Sequence, residues 1–175
     1  MKNFSGKGTI TYDKGDVYDG AYQNNEPHGV GKMTYKDGRV CEGIWKDGKI
    51  EYEGQLDENG KPHGRGKKVD SDGTFEGEWQ HGLSHGKGTC KWSDGATYEG
   101  EFKDGRRNGQ GTYKWPDGRS YDGEWKDGKR NGKGIYKWSD GRSYEGEWKD
   151  HKKDGKGISK YPDGSVQYDG EWKDD

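Results

Sequence analysis

The chain has 175 residues and a formal net charge of -2, and only 23% of it is hydrophobic, 13% being Phe, Trp and Tyr. Leu, Ile, Val and Phe together number 15, too few to fill one three-dimensional core, which argues against a conventional enzyme fold of this length. Low hydrophobicity, 37% charged residues and 34 glycines would by themselves read as disorder, but the charges nearly cancel and the chain carries 8 Trp and 12 Tyr.

In chain order, Met1 runs into Lys2, Asn3 and Phe4 with no apolar stretch, so no signal peptide is expected. No later run approaches the roughly 18 apolar residues of a transmembrane helix. The first strand signal, Gly6-Lys7-Gly8, lies inside a repeat that then fills the chain. Tyr-x-Gly-x-aromatic recurs at Tyr18, Cys41 (cysteine in the tyrosine slot), Tyr52, Phe75, Tyr98, Tyr121, Tyr144 and Tyr168, in steps of 23, 11, 23, 23, 23, 23 and 24 residues. Composition bias does not hold such a register. About seven full or partial units result. The 11-residue step is half a unit: Trp45-Lys46-Asp47-Gly48-Lys49-Ile50 turns directly into the next Tyr-Glu-Gly, so one strand and one turn are missing. The following unit has an extra loop residue in Asp57–Pro62. It also places Lys68 and Asp70 where Cys90 and Trp92 stand one unit later. Residues 41–74 are either a tolerated deletion or a bend or interaction site.

From Tyr98 the unit is regular, and strand alternation sorts its side chains. In Tyr144-Glu145-Gly146-Glu147-Trp148 the aromatics and the glycine share one face; in Gly132-Lys133-Gly134-Ile135-Tyr136-Lys137-Trp138 the glycines, Tyr136 and Trp138 do. The opposite face takes Glu99, Glu101, Glu145 and Glu147 on first strands and Lys87, Lys91, Lys133 and Lys137 on second strands, which predicts cross-strand Glu–Lys pairs. Asp127-Gly128 and Asp140-Gly141 are turn dipeptides. Each unit is therefore a β-hairpin, and the expected fold is all-β: an elongated, single-sheet antiparallel array of stacked hairpins forming a twisted trough. Its core is a thin aromatic stripe, with glycines leaving room for rings from neighbouring strands. Unpaired terminal edges would allow an end-to-end homodimer.

The pattern Y-E-G-E-W-K-D-G-K-x-N-G-x-G-x-Y-x-W-x-D-G-x-x-Y resembles the MORN repeat (membrane occupation and recognition nexus), over residues 5–175. Aromatic, glycine and turn positions all match in consecutive units. The resemblance implies a fold and scaffold family without fixing a function.

Chemistry is sparsely signalled. His28, His63 and His85 occupy the slot before Gly-x-Gly, where Asn108, Asn131 and Asp154 stand in other units, and His81 and His151 lie in loops. Successive units set His63 and His85 too far apart to share a metal, so no metal site is expected. Cys41 and Cys90 suggest neither a disulfide framework nor a zinc knuckle, which points to a reducing, cytoplasmic setting. There is no phosphate-binding loop signature and no nucleophile elbow, and the carboxylates are balanced by lysines. No catalytic residue and no cofactor are expected.

Two surfaces are candidates for binding. The aromatic face supplies a partner groove of Tyr98, Phe102, Trp115, Tyr121, Trp125, Trp138, Tyr144 and Trp148. The last three regular hairpin loops supply a basic edge of Lys103, Arg106, Arg107, Lys126, Lys129, Arg130, Lys152 and Lys153, where Gln23-Asn24-Asn25-Glu26 and Asp57-Glu58-Asn59 are neutral or acidic. Such an edge suits phosphoinositide headgroups or an acidic protein. Nucleic acid is disfavoured by the slightly negative net charge. Arrays similar to this one serve in cilia and flagella, at cytoskeletal assemblies, with myosin tails and at membrane junctions. The resemblance thus implies a non-enzymatic scaffold that binds a protein in a cytoskeletal or ciliary assembly. The alternatives are a peripheral membrane module, as in junctophilin-like and plant lipid-kinase arrays, and an accessory array of an enzyme complex.

Overall fold

The computed structural model describes residues 4–175; Met1, Lys2 and Asn3, on which the leader expectation partly rests, lie outside the described residues. The chain forms two compact units, Met1–Leu83 and Ser84–Asp175. In the first, β1 (Gly6–Thr11), β2 (Val17–Gln23), β3 (Glu26–Thr34), β4 (Val40–Lys46), β5 (Lys49–Leu56), β6 (Pro62–Asp70) and β7 (Gly73–Gln80) each pair antiparallel with the next. In the second, β8 (Leu83–Trp92), β9 (Thr97–Lys103), β10 (Arg106–Lys114), β11 (Ser120–Lys126), β12 (Lys129–Lys137), β13 (Ser143–Lys149), β14 (Lys152–Lys160) and β15 (Val166–Trp172) do the same. Among the described residues there is no helix. The all-β antiparallel array read from the repeat is the observed fold.

The Asp-Gly dipeptides build two different turns. In Asp127-Gly128 both residues have positive φ, 50° and 85°, the mirror-image two-residue turn whose twist matches the flanking strands. In Asp140-Gly141 only the glycine does, at 90°; Asp140 instead accepts the Arg142 N–H at 3.0 Å, and Gly141 donates to the Trp138 carbonyl at 3.1 Å. The second turn is a longer loop that an aspartate side chain closes.

The core is one motif repeated. Tyr98, Tyr121 and Tyr144 are fully buried, each lying across a pair of facing glycines: Gly100 and Gly111, Gly123 and Gly134, Gly146 and Gly157. Each hydroxyl donates to the carbonyl three residues on, at Glu101, Glu124 and Glu147, within 2.9–3.0 Å. The indole N–H of Trp125 donates to the Gly111 carbonyl at 3.0 Å, and that of Trp148 to the Gly134 carbonyl at 3.1 Å. Each tyrosine therefore meets the aromatic ring of its own strand (Phe102, Trp125 or Trp148) and the tryptophan of the next unit edge-on: Tyr121 lies 5.1 Å from Trp125 and 5.4 Å from Trp148. Edge-to-face pairs at this spacing contribute about 0.5–1.5 kcal/mol each beyond their buried area.

A bulge follows the hairpin turns of β2–β3, β5–β6, β9–β10, β11–β12 and β13–β14. Trp125 faces Arg130 but Gly123 faces Gly134, so β12 advances four residues while β11 advances two. The extra residues leave backbone N–H groups without a ladder partner, and the glutamates of the preceding strand take them up. Glu101 accepts from Gln110 N at 3.3 Å, Glu124 from Lys133 N at 3.1 Å and Glu147 from Lys156 N at 2.8 Å. This corrects the expected Glu–Lys pairing. Lys133 does stand opposite Glu147, but that carboxylate bonds backbone in the neighbouring hairpin.

The half-repeat breaks the parity of this arrangement. β4 turns directly into β5 through Asp47-Gly48, with Trp45 facing Ile50 as in any regular hairpin. The next pairing is Ile44 with Tyr52, so β5 advances two residues while β4 advances one. An odd slip moves every later side chain to the other side of the sheet. Ile50 packs with Tyr18, Tyr22, Met33, Cys41 and Trp45, while Tyr52, on the side of Ile44, forms a separate aromatic group with Trp79 at 5.2 Å. Glu53 is left facing Cys41; burial, with Glu53 adding to it, pushes the Cys41 thiol up to about 11. The 11-residue step is thus a face inversion within the first unit.

The glycine pairs are testable. A Cβ on Gly123 would lie 2.5 Å from the Lys133 carbonyl oxygen, whereas one on Gly8 would meet nothing within 4 Å. Gly123→Ala is expected to destabilise by about 1–3 kcal/mol in chemical denaturation, and Gly8→Ala to leave the midpoint unchanged. Equal midpoints for the two variants would contradict the packing described.

Candidate functional site

The structure divides the expected aromatic groove in two. Tyr98, Tyr121, Tyr144, Phe102, Trp125 and Trp148 are all buried, the most exposed at 7%. They are core and present no ring surface to a partner, which corrects their assignment to a binding groove. Trp115 and Trp138 remain half-buried, and Trp92 joins them. The three tryptophans stand at the ends of β8, β10 and β12, one unit apart, bridged by tyrosines. Ring centroids run from Trp92 to Tyr113 at 5.3 Å, Tyr113 to Trp115 at 4.5 Å, Trp115 to Tyr136 at 5.5 Å and Tyr136 to Trp138 at 4.7 Å. Arg119 lies 5.3 Å from the Trp115 ring and bonds Asp117 at 2.7 Å; Arg142 lies 5.7 Å from the Trp138 ring and bonds Asp140 at 2.8 Å. Trp115 and Trp138 thus each carry an arginine held by their own turn, whereas the turn after Trp92 has Ala96 in that place. The sequence signal for Trp92 was its spacing of 23 residues from Trp115, the same as that from Trp115 to Trp138.

The expected basic edge is also divided. Arg107, Arg130 and Lys153 do not project into solvent. The Arg107 guanidinium stacks 4.3 Å from the Trp125 ring, with Tyr113 at 5.1 Å, and donates to the Gly128 carbonyl at 3.0 Å. Arg130 stacks 4.6 Å from Trp148, and the Lys153 ammonium lies 4.2 Å from Trp172. Burial pulls the Arg107 and Arg130 pKa values below the ordinary arginine value, without removing the charge. Burial likewise pushes Tyr144 up to about 12 and raises Tyr98 and Tyr121. The sequence places all eight basic residues in solvated loops; these three face the rings because the two-residue turn pairs Arg107 with Phe102, Arg130 with Trp125 and Lys153 with Trp148. Lys103, Arg106, Lys126, Lys129 and Lys152 stay exposed, and Lys129 pairs with Asp150 at 3.3 Å. The open cleft between two of these loops, about 820 Å³, is lined by Lys103, Arg106 and Lys126 but also by Asp104, Asp127 and Glu124.

The histidines meet differently from the expectation. His28 faces Asp47 at 3.4 Å and His85 faces Asp104 at 3.7 Å, each the first residue of the next hairpin turn. In the unit between them that turn residue is His81, whose ring centroid lies 5.3 Å from that of His63. Asp57, in the β5–β6 loop, reaches His81 Nδ1 at 3.2 Å. The sequence sets His63 and His85 one unit apart; the structure brings His63 to His81 instead and adds a carboxylate.

The MORN repeat family model matches nine segments, at residues 2–17, 18–38, 41–51, 52–74, 75–97, 98–118, 121–141, 144–166 and 168–175. The chain belongs to the MORN repeat family. The family is one of repeat scaffolds, and MORN repeats mediate interaction with proteins or membranes. No curated protein matches the chain significantly. Among solved structures it is similar to the SAS-4 (dCPAP) TCP domain of Drosophila melanogaster in complex with a proline-rich motif of Ana2, at 11% identity over 92% of this chain and 87% of that one, with a TM-score of 0.42. It is also similar to the E1021V mutant of the TCP10 domain of Danio rerio CPAP, at 15% identity over 94% and 88%, with a TM-score of 0.28. At these scores neither likeness extends to a common function.

The inward cations of the MORN units separate folding from surface charge. Arg107→Glu sets a carboxylate against the faces of Trp125 and Tyr113 and is expected to cost about 2–4 kcal/mol of stability. Arg106→Glu, one residue earlier and exposed at the start of β10, is expected to change it by less than about 0.5 kcal/mol. Thermal unfolding of the two variants checks this; equal midpoints would return Arg107 to the solvent.

Proposed function

We propose that this MORN array is a non-catalytic scaffold that holds another protein, in a cytoskeletal or ciliary assembly of the kind in which similar arrays serve. The observation that supports the reading best is the half-buried row of Trp92, Trp115 and Trp138 with its turn-held arginines. Tryptophan and arginine are the residues most enriched at the energetic centres of protein interfaces. Here they are pre-ordered: the rings by the bridging Tyr113 and Tyr136, the guanidiniums by Asp117 and Asp140. Little side-chain entropy is lost when a partner lands on such a row. The regular unit spacing suits an extended segment that runs across the strand ends.

The membrane reading rests on fewer charges than the sequence promised. Three of the eight basic residues stack on core rings, and the exposed remainder is interspersed with Asp104, Asp127 and Asp150.

The double variant Trp115→Ser, Trp138→Ser separates the readings. Partner recovery from the native cell, quantified after cross-linking, is expected to fall about 10-fold or more. Wild-type protein is expected not to float with phosphoinositide vesicles at physiological salt. Recovery unchanged by the double variant, together with flotation that Lys103→Glu, Arg106→Glu and Lys126→Glu abolish, would make the membrane the partner.

A further inference from the structure

Three side chains with metal-ligand chemistry converge in the first unit. The ligand atoms of Asp57, His63 and His81 all lie within 4.8 Å of one another, and among the described residues no other group of three His, Cys, Asp or Glu side chains is so placed. They come from three segments that strand pairing holds side by side. Asp57 lies in the loop between β5 and β6, His63 is the second residue of β6, and His81 opens the turn between β7 and β8. Zinc bonds of about 2.0–2.2 Å place neighbouring ligand atoms roughly 3.3 Å apart in tetrahedral geometry. The separation of Asp57 Oδ2 from His81 Nδ1 is already 3.2 Å. The His81 side chain is 69% exposed and can swing to close the remaining distance to His63.

The surroundings fit a ligand set. The other oxygen of Asp57 accepts from Asn59 N at 2.9 Å and from Lys61 N at 3.0 Å, which fixes the carboxylate and leaves Oδ2 directed at His81. Outer hydrogen bonds of this kind orient metal ligands. His63 Nδ1 is buried with no hydrogen-bond partner. His28 and His85 share that feature, but each faces one aspartate, so those units assemble two groups and not three. The unit around His63 departs from the repeat twice: a histidine replaces the usual turn aspartate, and a lengthened β5–β6 loop supplies Asp57. Together the two departures create the third ligand.

The geometry points to a divalent transition-metal site, taken here as a zinc site, formed by Asp57, His63 and His81. Two imidazoles and a carboxylate match zinc's preference for nitrogen and oxygen donors, and three protein ligands leave a fourth position for water or for a donor from a bound molecule. The ion ties the β5–β6 loop, the start of β6 and the β7–β8 turn together. It does so in the unit whose β6 offers Lys68 and Asp70 where later units place Cys90 and Trp92. A metal there substitutes for missing aromatic packing.

The test uses the untagged full chain, stripped with a chelator and titrated with Zn²⁺ by calorimetry, with the visible ligand-field absorption of Co²⁺ as a second probe. His63→Asn and His81→Asn borrow residues that fold in the same slots elsewhere in the chain, Asn108 and Asn24, and Asn is at home in the left-handed conformation of residue 81 (φ 50°). Asp57→Asn completes the set, and His28→Asn and His85→Asn are controls. The expected result is one equivalent of Zn²⁺ bound by the wild type, with affinity lowered more than about 10-fold in each of the three site variants and unchanged in the controls. Zn²⁺ should also raise the melting temperature of the wild type but not of His81→Asn. The proposal is overturned if the wild type binds no stoichiometric Zn²⁺, if His81→Asn binds as the wild type does, or if His28→Asn or His85→Asn loses binding equally. None of these outcomes bears on the tryptophan row, which lies in the other unit.

Discussion

The fold depends on a tyrosine ring lying flat across two glycines. Where Gly100 faces Gly111, or Gly123 faces Gly134, the absence of both side chains lets an aromatic ring rest on the backbone of two strands at once. The ring buries its own surface, covers peptide groups that a two-layer protein would shield with a second sheet, and spends its hydroxyl on a carbonyl of its own strand. That one contact explains how a chain with 15 aliphatic and phenylalanine side chains folds. It also explains the repeat length, since each ring needs a glycine from its own strand and another from the partner strand.

Cations complete the same layer. The columns of edge-on rings leave aromatic faces open, and Arg107, Arg130 and Lys153 cover them. A guanidinium suits the position because it is weakly hydrated and planar, and it keeps a backbone carbonyl as partner while its flat side lies on the ring. The functional consequence is a division of labour within each loop. One basic residue serves the core, and its neighbours meet solvent beside an aspartate. The tryptophans at the strand ends escape this covering in part, which is why the accessible aromatic surface is a row along the turns and not the face of the core rings.

The half-repeat shows how sheet parity couples local sequence to architecture. A regular bulge adds an even number of residues and keeps the aromatic side constant. The bulge between Trp45 and Tyr52 adds an odd number and reverses it. Cys41 and Glu53 face each other because of that reversal, and the Tyr52–Trp79 group on the other side builds its own column. The next unit then supplies Asp57, His63 and His81 where a regular unit would carry a simpler pair. Departures from the repeat cluster within about one unit and a half, as expected where one irregularity relaxes the packing demands on its neighbours.

The sequence by itself determined the strands, their turns, the hairpin order and the sheet face that carries the aromatics. All of these follow from local alternation and from a 23-residue period, and the burial of Tyr98, Tyr121, Trp125 and Trp148 agrees with the predicted face. It also determined the family. Only the tertiary structure decided which aromatics stay accessible, because burial of a ring depends on cations arriving from the adjacent hairpin, 18 or 19 residues away in sequence. Only the structure decided the direction of Arg107 and Arg130. Alternation fixes a strand residue's side, but a loop-edge residue counts as strand or as loop depending on where the turn closes. The face inversion was likewise hidden, since a missing strand reads the same whether the bulge beside it is odd or even. The meeting of His63 with His81 required knowing that consecutive turns stack, a relation between hairpins that no single repeat contains.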